Sequence, residues 1–231
     1  TQFLASGLWA VTVMNEYDHI LGFHKINAFR DAVHNSVGGK ENYFQVEERI
    51  DFDPYTILGQ KTKGGKITEK DCLVMQEIWK GPHTTGNDFL WYSFLPGGTF
   101  WNKIIPIGSF YYPLIGKRPK CFSLVEQYVH LAFEDPKKDL LHLKIRDFEK
   151  AFDTCIRKLG WLSCDHADLR PFANAGGKLI IDHGLDDPLI PVEGTIDYYH
   201  HMREIHGGQN FIDRFCRLYI NPGDGHGNCH T

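Results

Sequence analysis

Apolar residues recur at helical spacing from Phe3 to about Val37, with Ile26, Phe29 and Val33 on one face and Gly38-Gly39 as a stop, which predicts one or two helices. From about Lys40 to Pro119 the texture changes to short aromatic-rich runs broken by Gly and Pro, as in GQKTKGG, KGPHTTG, LPGGTF and IGSFYYPLIGKRP. Such punctuation predicts loop-rich, irregular structure. Within it, Thr68 to Trp79 reads as a short helix: Thr68 is a candidate cap, Asp71 follows three residues on, and Leu73, Val74 and Ile78 supply apolar positions. After Pro119 helical patterning returns through VEQYVHLAF and DFEKAFDTCIRKLG. In the second run Phe148, Phe152, Cys155 and Leu159 fall at i, i+4, i+7 and i+11, a stripe that should face a core.

The final third has another rhythm. Gly176-Gly177 precede the apolar run KLIID, a Gly/Asp/Pro loop, a helix from about Thr195 to Ile205, Gly207-Gly208, then FCRLYI and a second Gly-rich loop. Strand, loop, helix, strand, loop is the alternation of a parallel sheet crossed over by helices, in which active-site residues gather beyond the carboxyl ends of the strands. Two loops qualify, HGLDDPLIP and NPGDGHGNCH.

Composition narrows the classes. With 231 residues and 42% hydrophobic positions the chain can bury a sizeable core. A formal charge of -4 and the lack of a long basic run exclude an electrostatic footprint for nucleic acid or anionic lipid. No apolar stretch approaches the roughly 20 residues that span a bilayer. Thr1 stands where an initiator Met is usual, and no export signal is visible, so the chain reads as a processed or excised piece. Six cysteines lie far apart, without the short paired spacings of zinc sites, which permits disulfides without requiring them.

Ester hydrolysis by a triad needs a nucleophile, a base, a carboxylate to orient the base, and oxyanion donors. In α/β-hydrolases the chain order is Ser, then Asp or Glu, then His. Asp187 follows one predicted strand and His226 the next, matching the second and third members of that order. On pattern alone a bland alternative stays open, in which Asp187 starts a turn and His226 decorates a surface loop.

The wording of these segments goes further. GGKLIIDHGLDDPLIPVEGTIDYY followed by FCRLYINPGDGHGNC resembles the carboxyl-terminal core of the tannase/feruloyl esterase family. Upstream, LWAVTVMNE, the FDP at Phe52 to Pro54, the IWKGP at Ile78 to Pro82 and FLWYSFLPGGTF are similar to the segment leading into that family's lid and to the lid itself. The resemblance implies an α/β fold class: the carboxyl-terminal portion of an α/β-hydrolase with an inserted loop-rich lid domain. Residues 1–39 would be a helical lead-in from the hydrolase core, 40–175 the lid, and 176–231 the core that carries the acid and base. It implies Asp187, rather than its neighbour Asp186, as triad acid and His226 as general base. Export from the cell is implied by the same likeness.

The serine elbow is missing. No G-x-S-x-G or Cys-Ser-Thr-Gly-Gly-like segment occurs, and Ser6, Ser36, Ser93, Ser109, Ser123 and Ser163 all stand in other contexts. The nucleophile is therefore expected upstream, on another segment or a partner chain, and the chain alone is expected to be inactive. A sheet without its early strands would also expose an edge, which predicts instability alone.

Two departures from the family pattern bear on ligands. Family members usually place a Cys directly after the catalytic His, disulfide-bonded to one beside the nucleophile; here Cys229 comes three residues after His226. If that bond forms, its partner lies on the missing segment and Cys229 is an unpaired thiol in this chain. The family's lid commonly binds calcium through an Asp-rich loop, whereas HNSVGGKENYF offers Asn35, Gly38 and Asn42. Calcium favours several charged oxygen ligands, so no cofactor is expected.

Trp79, Trp91, Tyr92, Phe100 and Trp101 are candidates for a lid surface stacking on a phenolic acyl group, or are simply core. His200, His201 and His206 share a predicted helix, but His201 and His206 diverge around it, which predicts a solvated surface and no metal site. Glu193 and Asp197 fall in a first helical turn, where the dipole accounts for them. The function expected is a serine carboxylic-ester hydrolase acting on galloyl or feruloyl esters, its partners being that substrate and the Ser-bearing segment. The alternative is a non-catalytic piece that binds a phenolic ligand or a partner chain; a zinc protein built on the histidines is a third reading.

Overall fold

A computed structural model describes residues 2–45, 49–98, 123–140 and 142–227. The apolar amino-terminal region forms two helices, α1 (Gln2–Glu16) and α2 (Phe23–Ser36), followed by one turn, α3 (Lys40–Tyr43). In the Gly-rich stretch a small antiparallel hairpin pairs β1 (Lys61–Thr62) with β2 (Gly65–Lys66). Helix α4 (Glu69–Lys80) begins as expected: the Thr68 hydroxyl accepts from the Asp71 N–H (3.2 Å), and the Asp71 carboxylate accepts from the Thr68 N–H (2.7 Å). This reciprocal box satisfies two N–H groups that lack intrahelical partners. Asp71 is fully buried and is also held by Lys25 (2.6 Å) and His19 (2.8 Å). Its carboxyl is desolvated, yet these donors and the Thr68 N–H outweigh that cost and hold its pKa below the ordinary value.

Two further helices follow, α5 (Ser123–Phe133) and α6 (Ile145–Leu159). The predicted stripe of α6 is buried throughout, with Ile145 added at its start. There the Glu16 carboxylate, from the end of α1, accepts the Ile145 N–H at 3.0 Å. Leu4, Leu8, Trp9 and Met14 of α1, Phe29 and Val33 of α2, Met75 and Ile78 of α4, Val125 and Val129 of α5, and Phe148 and Phe152 of α6 share one core. That core is continuous across the boundary expected near residue 40.

The final third is a separate packing unit. A short helix, α7 (Arg170–Asn174), leads into β3 (Leu179–Gly184), α8 (Val192–Ile205), the single turn α9 (Gln209–Ile212) and β4 (Cys216–Asn221). The strands pair in parallel, in register from Leu179 opposite Cys216 to Gly184 opposite Asn221. Parallel neighbours need a crossover, and α8 provides it. Helix α8 starts three residues before the expected Thr195, directly after Pro191, whose backbone (φ -56°, ψ 122°) is the non-helical N-cap. Met202 and Tyr199 of α8 pack with Ile212, Phe215 and Cys216 beneath one face of the sheet. On the other face Ile180 is 71% and Tyr219 53% exposed.

Arg49 joins the two units. It donates to the Glu193 carboxylate at 2.5 Å, and its other terminal nitrogen donates to the backbone carbonyls of Trp79 and Phe94. Glu193 thus does more than face a helix dipole. His206 corrects the expectation of a solvated histidine: it is 8% exposed, stacks on Phe211 and accepts the Leu169 N–H at 3.1 Å. It caps the end of α8, where the chain turns inward; His200 and His201, within the helix, are exposed as expected.

Candidate active site

Strands β3 and β4 end side by side, so the loops that follow them meet. Main-chain bonds fasten one loop to the other: Leu185 N–H donates to Asn221 O (2.9 Å), and Asp186 N–H donates to Asp224 O (2.9 Å). Gly184 lets them close up, since a Cβ there would collide with the Asp224 carbonyl and lie 2.9 Å from Gly225 O.

Within this junction Asp187 Oδ2 lies 2.9 Å from His226 Nδ1. The other carboxylate oxygen, Oδ1, accepts the N–H groups of Leu189 (2.7 Å) and Ile190 (2.9 Å), so the turn after β3 fixes the side chain. A second histidine faces the same carboxylate: His183 Nε2 is 3.3 Å from Asp187 Oδ2. Burial alone would raise the Asp187 pKa. Hydrogen bonds from His183, the Ile190 N–H, His226 and the Leu189 N–H outweigh it, and the carboxyl stays ionised below its usual range.

The Asp187 side chain is 6% exposed and that of His226 is 42% exposed. A buried carboxylate against Nδ1 orients the imidazole, and in the neutral ring with Nδ1 protonated the Nε2 atom is the acceptor. His226 opens on a hollow of about 290 Å³ lined by His183, Asp187, Ile190, Asn221, Asp224 and adjacent backbone. Among the described residues no serine, threonine or cysteine lines it. Asp186 diverges from its neighbour and borders a different hollow, with Arg30, His34 and Lys40.

The structure therefore brings Asp187 and His226 together, and adds His183, which the sequence reading passed over. A period-2 strand signal was available in KLIIDHG, but it could not say which face held the turn. The aromatic residues expected at a lid surface do not border this hollow. Trp79 is 4% exposed in the helical core, edge-on to Phe29 and Phe52, and Trp91 packs partly buried against the same core. Tyr92 is half-buried between the rings of Phe89 and Trp91, and none of the three lines the hollow at His226. Phe100, Trp101 and Cys229 fall outside the described residues. Among the described residues Cys72, Cys155, Cys164 and Cys216 are free thiols, and no group of three or more His, Cys, Asp or Glu could hold a metal ion. Asn35, Gly38 and Asn42 include no carboxylate, so that donor set does not fit calcium.

Comparison with known proteins decides the family. A family model described as tannase and feruloyl esterase matches residues 118–231. The chain belongs to the tannase and feruloyl esterase family. Among its relatives in this family, a probable feruloyl esterase of Arthroderma benhamiae is 26% identical, over 97% of this chain and 43% of its own length. The tannase of Aspergillus oryzae is 23% identical, over 74% of this chain and 31% of its own. A solved tannin acyl hydrolase from Aspergillus niger superposes with a TM-score of 0.78 at 21% identity, covering 99% of this chain and 46% of that one. Feruloyl esterase B from Aspergillus oryzae gives 0.71 at 18% identity, covering 96% and 45%. The α/β-hydrolase fold expected from the sequence is thus the fold observed, and the chain spans less than half the length of each of these relatives.

Proposed function

We propose that this chain supplies the acid and the base of a serine-type carboxylic-ester hydrolase acting on esters of phenolic acids. The observation that carries the reading is the 2.9 Å contact between Asp187 Oδ2 and His226 Nδ1 at the ends of adjacent parallel strands. Asp187 orients His226 and stabilises the imidazolium; His226 Nε2 removes the proton of a serine hydroxyl as that oxygen attacks the ester carbonyl. The same nitrogen then protonates the departing alcohol, and a water molecule activated in the same way releases the acid. The serine comes from a segment or partner chain outside these residues, in keeping with a hollow that lacks a nucleophile among the described residues. The larger helical unit acts as a lid over the acyl group, and Trp91 and Tyr92 are its described candidates for contact with an aromatic ring. Export is part of this reading by family likeness; among the described residues no helix is long and apolar enough to cross a membrane.

Hydrolysis of methyl ferulate and methyl gallate tests the proposal, with this chain alone and together with the upstream segment of its precursor. Turnover only in the combined sample, lost in Asp187→Asn and His226→Ala, is the expected result. Turnover by the chain alone would show that the nucleophile has been misplaced, and full activity in either variant would remove the triad assignment.

A further inference from the structure

Asp187 Oδ2 has two imidazoles around it, and only one of them faces solvent. His226 is 42% exposed, whereas the His183 side chain is 10% exposed, on β3 beneath the turn. A triad base needs one partner for its Nδ1, so the second histidine calls for its own explanation.

The partners of His183 define its state. Its Nε2 lies 3.2 Å from the carbonyl oxygen of Ile190, which only accepts, so Nε2 carries the proton. The same nitrogen lies 3.3 Å from Asp187 Oδ2, so its proton is shared between the carbonyl and the carboxylate. Its Nδ1 is 2.7 Å from Thr195 Oγ1, and in the neutral ring it accepts the hydroxyl proton. Thr195 stands in the first turn of α8, the helix that begins where the Asp187 turn ends. The imidazole therefore bridges strand, turn and helix. A water in its place would lack this fixed three-way connection.

We infer that His183 is a positioning residue for the triad acid: held by Thr195, it presents an Nε2–H that fixes Asp187 Oδ2 where His226 Nδ1 meets it. The inference rests on the proposed role of Asp187 and His226. It assigns His183 no contact with substrate. Without it, Asp187 keeps its two backbone donors on Oδ1, but Oδ2 loses the only described side-chain donor other than the base itself. The carboxylate can then swing about the Oδ1 anchor, and His226 follows it.

The test uses the full-length enzyme with methyl ferulate. His183→Leu fills the space without an N–H, and His183→Gln restores an amide N–H near the Nε2 position. Leu should lower kcat by about ten- to a hundredfold, the scale of a small misplacement of reacting groups, with KM nearly unchanged. Gln should recover most of that loss. Because His183 acts through Asp187, His183→Leu should add no further loss in an Asp187→Asn background. Should the Leu variant fail to fold, Thr195→Val removes only the Nδ1 contact and should still lower kcat several-fold with KM unchanged. Full kcat in whichever variant folds, no recovery with Gln, or losses that multiply in the double variant would overturn the inference. Full activity of Asp187→Asn would instead overturn the reading beneath it.

Discussion

The α-carbon of Gly184 faces the carbonyl of Asp224 so closely that a methyl group has no room between them. Their separation sets how nearly the loop carrying Asp187 approaches the loop carrying His226, because Leu185 and Asp186, the next two residues, donate main-chain hydrogen bonds to Asn221 and Asp224. Gly184→Ala should push the His226 loop outward. Forced overpacking of this kind costs about 1–3 kcal/mol. The expected outcome is a lower denaturation midpoint in urea and a larger fractional loss of esterase kcat than the stability change explains.

Asp71 should be a keystone of the helical unit. It is buried, it caps α4, and it neutralises Lys25. Asp71→Asn leaves the ammonium of Lys25 without its counter-charge, a type of change that costs about 3–5 kcal/mol. The acid dependence has a defined sign. The folded-state pKa is depressed, so the stabilisation is complete above the unfolded carboxyl value of about 3.9 and fades as pH falls through the lower folded value. Melting curves should therefore show wild type and variant far apart at neutral pH and converging in acid.

Arg49 should hold the helical unit against the unit that carries Asp187 and His226. Its guanidinium reaches Glu193 on one side and the Trp79 and Phe94 carbonyls on the other. Arg49→Leu removes charge-assisted bonds worth about 1.5–3 kcal/mol each where buried, less here because the side chain is a third exposed. Limited proteolysis should become faster near residue 49, with slower change in the α6 core.

Phe148 is fully buried between Trp9, at 5.2 Å and edge-on, and Phe152. Phe148→Ala should cost about 3–5 kcal/mol, read as a loss of folded protein in chemical denaturation, whereas the exposed Ile156 on the same helix should tolerate Ala with little change.

Much of this was legible wherever a local rule coincided with burial. Thr68 and Asp71 announce a helix start by chemistry that acts within one turn, and the Phe148, Phe152, Cys155, Leu159 stripe follows from helical period alone. The pairing of Asp187 with His226 was legible through strand order, because parallel neighbours bring their following loops together. What escaped depended on distant partners. His206 is buried because the α8 terminus turns into the Leu169 backbone, and its neighbours His200 and His201 give no hint of that. His183 meets Asp187 because of the way the turn folds back, and the hairpin at Lys61 to Lys66 and the single turns at Arg170 and Gln209 are too short for periodicity to register.

The register of β3 against β4 has one more consequence. Asp187 and His226 depart from strands tied residue by residue, from Leu179 opposite Cys216 to Gly184 opposite Asn221, and each loop is bonded to the other before either side chain is placed. The aromatic helical unit has its own core, separate from the cluster beneath the sheet. Substitutions in the helical core can therefore accumulate without loosening the strand-to-strand ties, and on the proposed function the surface that selects a substrate and the pair that moves a proton would answer to separate sets of residues.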